Sequence, residues 1–225
     1  FDGGGNITIG GRGIEFKKSG MALHFFKNRS CFRLADDQIW RGPDAQVLSS
    51  PSRVDVGGNW SYMYPTGSMT PLKDDFKWTI AGNLAVYMYY PSNDLSRTDV
   101  TVKSPARLVF SYPGGSSSYA QPGNTHPWCG RLNARSLTLD GPQAGLLVDY
   151  AAKFPSVSAE KFAKTVILKD GAVLRFNSDS STMMQLRGDL TVKAGAGTGY
   201  LAGKYRLMDE VAHLAADEGA MLDIT

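Results

Sequence analysis

Of the runs that set carboxylates side by side, two are weighed as candidate chemistry: Asp36-Asp37, and Asp74-Asp75 with Lys73 next to them. Clustered carboxylates beside a cation can act as acid and base on a sugar chain, or hold calcium against an acidic one. On a strand, however, adjacent residues point to opposite faces, so neither pair makes a site unaided. His24, His126 and His213 lie far apart, and none has the spacing of a His-Glu-x-x-His metal site. Neither a Gly-x-Ser-x-Gly elbow nor a Gly-x-x-x-x-Gly-Lys-Ser/Thr phosphate loop occurs. The sequence therefore names no catalytic residue, metal ligand or cofactor, and it leans away from an enzyme.

Aromatic residues offer a second kind of chemistry. Trp60, Tyr62 and Tyr64 alternate, so on a strand they share one face. That face would either stack on sugar rings or on a partner protein, or fill a wide core. The run 111–131 is dense in Gly, Ser and Pro and reads as a long loop. Tyr112, Tyr119, His126 and Trp128 are its candidate recognition residues; the alternative is an irregular insertion pinned by Trp128 and Cys129. Cys31 and Cys129 are the only cysteines, and two free thiols fit the count as well as one disulfide.

The elements that would position these residues follow from a pattern that returns three times. Val100, Val102, Ala106, Leu108 and Phe110 recur in spacing as Val166, Leu168, Ala172, Leu174 and Phe176, and again as Leu214, Ala216, Ala220, Leu222 and Ile224. Each copy keeps one parity, which places its apolar residues on one face of a strand, a corner and a second strand. Asp170-Gly171 is a strong signal for a hairpin turn. Pro105, at the position of Gly171, cannot take the positive φ that such a turn needs. A hairpin would also set Val166 against Arg175. Corners that keep both arms facing inward fit all three copies, and they are the corners of a β-solenoid, a coil of stacked rungs.

Earlier in the chain, 5–16 and 21–40 read as further short strands, and Leu137, Leu139, Leu146 and Val148 resume the style after the loop. The aromatic-rich stretch 59–98 departs from it and reads as an insertion. Ser158 opens a short helix candidate, and 205–216 fits helical as well as strand spacing. At 225 residues with 25 glycines, the chain suits a single all-β domain full of corners. Its net charge of +3 is too mild to argue for nucleic acid. No apolar segment reaches the roughly 18 residues of a membrane span. A start at Phe1 and a strand-like end at Leu-Asp-Ile-Thr read as a segment of a longer polypeptide.

The run Asn-Ile-Thr-Ile-Gly-Gly-Arg-Gly-Ile-Glu-Phe, then Leu-Ala-Asp-Asp-Gln-Ile-Trp, then Val-Asp-Val-Gly-Gly-Asn resembles the autotransporter-associated β-strand repeats of bacterial surface passenger proteins. The likeness covers about the first sixty residues, and Gly203-Lys204-Tyr205-Arg206-Leu207 is similar to a further element of those families. The resemblance implies a right-handed parallel β-helix, export to the cell surface, and no fixed activity. The resulting expectation is an extracellular structural or adhesive module that stacks end to end on itself or on neighbouring solenoid domains. The alternatives are a polysaccharide lyase or hydrolase of the β-helix class, and a carbohydrate-binding module without catalysis.

Overall fold

A computed structural model describes residues 6–11, 13–17, 22–24, 31–42, 61–64, 69–87, 95–110, 132–148, 156–158, 163–176, 184–187, 189–208 and 212–224. Among the described residues the fold is all-β, and every strand pairing is parallel.

Two eight-stranded sheets carry the architecture. The first contains, in chain order and in spatial order alike, Gly13–Glu15, Gln38–Arg41, Phe76–Ala81, Thr98–Lys103, Ala134–Asp140, Ala163–Lys169, Leu190–Ala196 and Ala212–Ala216. The second contains Ala22–His24, Ser61–Tyr64, Leu84–Tyr87, Arg107–Phe110, Gly145–Val148, Val173–Phe176, Thr198–Gly203 and Met221–Ile224, again in order. The chain thus visits the first sheet and then the second eight times, each time but the last returning beside the strand it left. Two three-stranded sheets flank this repeat. Asn6–Ile9, Cys31–Leu34 and Met69–Pro71 precede the first-sheet strand in the early traverses; Ser156–Ser158, Met184–Arg187 and Tyr205–Leu207 follow the second-sheet strand in the later ones.

Register explains why the alternating sequence folds this way. In the first sheet Ile14, Trp40, Ile80, Val102, Leu139, Leu168, Ala194 and Ala216 align from strand to strand. In the second, Leu23, Met63, Val86, Leu108, Leu146, Leu174, Leu201 and Ile224 do the same. From Val86 to Leu201 this second column is buried throughout. A buried Val or Leu contributes about 1.5–3 kcal/mol, and a slip of one residue would turn the whole column outward. The pattern therefore specifies the register as well as the strands.

The corners solve one problem in several ways. The N–H of Ala106, Ala144, Ala172 and Ala220 bonds to the carbonyl of Lys103, Gly141, Lys169 and Asp217, at 2.8, 3.1, 3.0 and 3.0 Å. Each turn closes on an alanine, and Ala106, Ala144 and Ala172 are buried. Asp170 and Gly171 have φ of 50° and 90°, so the local backbone has the signs of a hairpin turn. No hairpin follows. Leu168 pairs with Leu139 and Ala194, while Val173 pairs with Gly145 and Tyr200. The turn shape is local, whereas the partner of each strand is set by the apolar column.

Several expectations meet their outcome here. The stretch 59–98 supplies strands Ser61–Tyr64, Met69–Pro71, Phe76–Ala81 and Leu84–Tyr87, which take places in the same ladders as their neighbours. Phe76, Trp78 and Ile80 are buried, and Trp40 meets Trp78 edge-on with ring centroids 4.7 Å apart. Ser158 ends the strand Ser156–Ser158 and Ala163–Lys169 is strand, while residues 159–162 of the helix candidate lie outside the described residues. Within the ambiguous stretch 205–216, Tyr205–Leu207 and Ala212–Ala216 are strands, and 209–211 lie outside the described residues. In these two strands helical spacing is overridden by ladders already waiting on one side.

Candidate functional site

The outer face of the first sheet gathers most of the charge that the sequence offered for chemistry. Alternation turns Lys77, Asp99 and Ser136 outward at aligned positions on three successive strands, with Thr79, Thr101 and Thr138 as the next aligned row. Asp74 and Asp75 sit in the turn before Phe76–Ala81, and Asp36 and Asp37 in the bend before Gln38–Arg41. Bends rather than strands hold both carboxylate pairs, so both members of each pair are exposed.

Each of these carboxylates is engaged, and most reach to a neighbouring traverse. Asp36 accepts the N–H of Gly11 at 3.2 Å, one traverse back. Asp37 accepts the Lys77 N–H at 2.8 Å and the Lys73 ammonium at 2.9 Å, one traverse forward. Asp74 pairs with Arg97, and Asp75 pairs with Arg135. Asp99 takes two bonds from the Arg135 guanidinium, Nε to Oδ1 at 2.9 Å and Nη2 to Oδ2 at 2.6 Å, and a third from Ser136 Oγ at 2.7 Å. The result is an ionic seam running from Gly11 to Ser136 across five traverses. Lys193 and Asp217 make a similar stitch near the far end, at 2.9 Å.

The seam's electrostatics decide what it can do. The hydrogen bond from Lys73 holds the Asp37 carboxyl below the usual range. Asp99 is held low in the same way, first by Arg135 and then by Ser136, against the opposing effect of burial. Arg135 is driven further toward its charged form by Asp99 and Asp75. A general base works best with its pKa near the working pH, and a depressed carboxylate is a weak one. Because these oxygens already face N–H groups and cations, the arrangement suits cross-strand fastening. Among the described residues no group of three or more His, Cys, Asp and Glu side chains is placed to hold a metal ion.

Of the aromatic candidates, Tyr62 and Tyr64 lie on the strand Ser61–Tyr64, aligned with Ala22 and His24 on one side. Trp60, Tyr112, Tyr119, His126 and Trp128 lie outside the described residues, as does Cys129 and with it any pairing to Cys31. His24 is on the strand Ala22–His24, and His213 is exposed on Ala212–Ala216 at the opposite end of the stack, so these two histidines do not converge.

Among the described residues Gln38, Asn83, Thr98 and Arg107 are buried polar residues, and none of them stands out from sequence as a site. Gln38 accepts the Trp40 indole N–H at 3.3 Å and donates to the Asp36 carbonyl at 2.9 Å, so its amide serves the core. Arg107 is only 1% exposed although it alternates with the inward Leu108. Burial lowers its pKa. Ala85 and Gly145 flank it in register, and a Cβ on Gly145 would stand 3.3 Å from the Arg107 Cγ. Small residues on both sides are the one signal that the sequence carries, and it is visible only once the register is known. No family description, curated protein or solved structure matches this chain.

Proposed function

We propose that this chain is a right-handed parallel β-helix acting as a structural or adhesive module on the outside of a cell. The observation that carries this reading is the unbroken register of the two apolar columns through eight traverses. A chain built this way satisfies its backbone hydrogen bonds along one axis and offers long, regular flanks. The ionic seam supports the same role, since its side chains fasten traverse to traverse and leave depressed carboxylates in place of a tuned acid and base. The resemblance of the first sixty residues to surface passenger repeats supports a surface location, and it is consistent with the all-β, parallel character of the described residues. Among the described residues no helix is long and apolar enough to cross a membrane.

The test is protease shaving of intact producing cells, followed by detection of this chain with an antibody. Loss of the signal without cell lysis is expected. Full protection on intact cells, with cleavage only after lysis, would overturn the surface role. Incubation with acidic polysaccharides provides the enzymatic control, in which no unsaturated or reducing ends are expected to appear.

A further inference from the structure

We propose that the outer face of the first sheet binds an extended acidic polysaccharide, one sugar to a strand, with carboxylates on Arg41, Lys103 and Lys169. This rests on the reading of the chain as an adhesive module, and it names what the module adheres to.

The residue after each inward position of the first-sheet column points outward by alternation. In sheet order these residues are Arg41, Ala81, Lys103, Asp140 and Lys169. Cations thus stand on the second, fourth and sixth strands, a repeat of about 9.6 Å at the usual strand spacing. Arg41 and Lys103 are exposed, and Lys169 is half-buried. The ion pairs among the described residues engage Lys17, Lys73, Arg97, Arg135 and Lys193, and none of these three. In this they differ from the ionic seam, whose charges face one another. A Cβ on Gly195 would stand 2.4 Å from Ile167 Cγ2 and 3.2 Å from Lys169 Cε, so the Lys169 stem lies along the face beside its neighbour strand.

Beside the cations runs a flat row of Ile39, Thr79, Thr101, Thr138 and Ile167. Ile39 is 46% exposed and the others are half-buried. Methyl groups and hydroxyls together suit the C–H faces and hydroxyls of sugar rings. Across this row Lys77 stands on the third strand, which the first set of cations skips; it is exposed and also in none of the ion pairs. Along Arg41, Lys77 and Lys103 the charge therefore changes sides at each strand. A cellulose-like chain advances about one strand spacing per sugar and turns each sugar over relative to the last. When every sugar carries a carboxylate, the acids change sides in the same rhythm, and such complementarity fixes the register of a ligand. Asp140 then faces a sugar whose acid lies on the far side, and it accepts that sugar's hydroxyls. Single-stranded nucleic acid is held by stacked aromatic side chains as well as by cations, and neither row contains an aromatic residue.

The test is titration calorimetry of the full 225-residue chain with a glucuronate hexamer in cellulose-type linkage, with neutral cellohexaose, and with hexathymidylate. Only the glucuronate hexamer is expected to bind. Lys103→Gln and Lys169→Gln should each weaken it about threefold to fivefold, and the two together on the order of tenfold, with an unchanged circular dichroism spectrum. Lys204→Gln removes the same charge from an exposed position outside the first sheet and should leave the affinity as it is. Wild type that ignores the glucuronate hexamer, or that binds cellohexaose or hexathymidylate as tightly, overturns the proposal whether or not the variants fold. So does a Lys204→Gln chain that loses as much affinity as Lys103→Gln. A chain that binds the glucuronate hexamer but is protected inside intact cells refutes the surface role alone; a surface chain that ignores the hexamer refutes the ligand alone.

Discussion

Asp99 shows how a residue suited to catalysis is put to another use. Its carboxylate receives three hydrogen bonds from Arg135 and Ser136, which stabilise the charged form. Asp37 is held in the same way by Lys73 and the Lys77 N–H. Both folded values lie below the ordinary 3.8. The stability that these groups contribute is thus complete above the unfolded value and is lost as pH falls through the lower folded value. Acid unfolding followed by circular dichroism should accordingly begin below about pH 4, and Asp37→Asn with Asp99→Asn should flatten that dependence. An acid transition identical in the double variant would contradict the role. The pair Asp36-Asp37 was legible as candidate chemistry, but its partners were not. Lys77 lies 40 residues from Asp37, and Arg135 lies 36 from Asp99. Only the register brings them together.

At the scale of the element, alternation in sequence was enough to find strand, corner and strand, because each apolar position keeps its parity through a turn that ends on a small residue. What alternation lacked was the backbone shape of each corner. Asp170-Gly171 uses two positive φ values, Glu218-Gly219 uses one at Gly219, and Ser104-Pro105 uses none, yet all three arrive at an alanine. Gly203 has φ of 98°, and a Cβ there would stand 2.2 Å from the Phe176 carbonyl oxygen. Gly203→Ala should cost about 1–3 kcal/mol. Along one column, Leu174→Ala should cost about 2–5 kcal/mol, whereas Ile224→Ala in dilute protein should stay within about 0.5 kcal/mol. Chemical denaturation of the three variants checks this ranking. Equal losses at Leu174 and Ile224 would mean that the last traverse is covered in the single chain.

For the whole molecule, stacking in one dimension makes stability a sum over traverses and the interfaces between them. Amide exchange should therefore be slowest in the strands Thr98–Lys103 to Ala163–Lys169, which have neighbours on both sides several layers deep, and faster toward Ala212–Ala216. Uniform protection from end to end would argue for a single packed globule. The sequence also hid the change of cross-section, from a small sheet before the first-sheet strand to one after the second-sheet strand. Each small sheet has only three short strands, too few for a repeat to emerge from residue types alone.

The central claim is that the traverses stack in sequence order. The outward row Ile39, Thr79, Thr101, Thr138, Ile167, Lys193 and Ala215 lies on seven successive strands. Strands are spaced about 4.8 Å apart. Spin labels on cysteine variants of Ala215 paired with Thr138, Thr79 or Ile39, with Cys31 and Cys129 replaced and excess unlabelled chain added, give the most direct reading by pulsed electron resonance. Backbone separations are expected to rise through about 14, 24 and 29 Å. Distances that do not climb with the number of intervening strands would contradict the account.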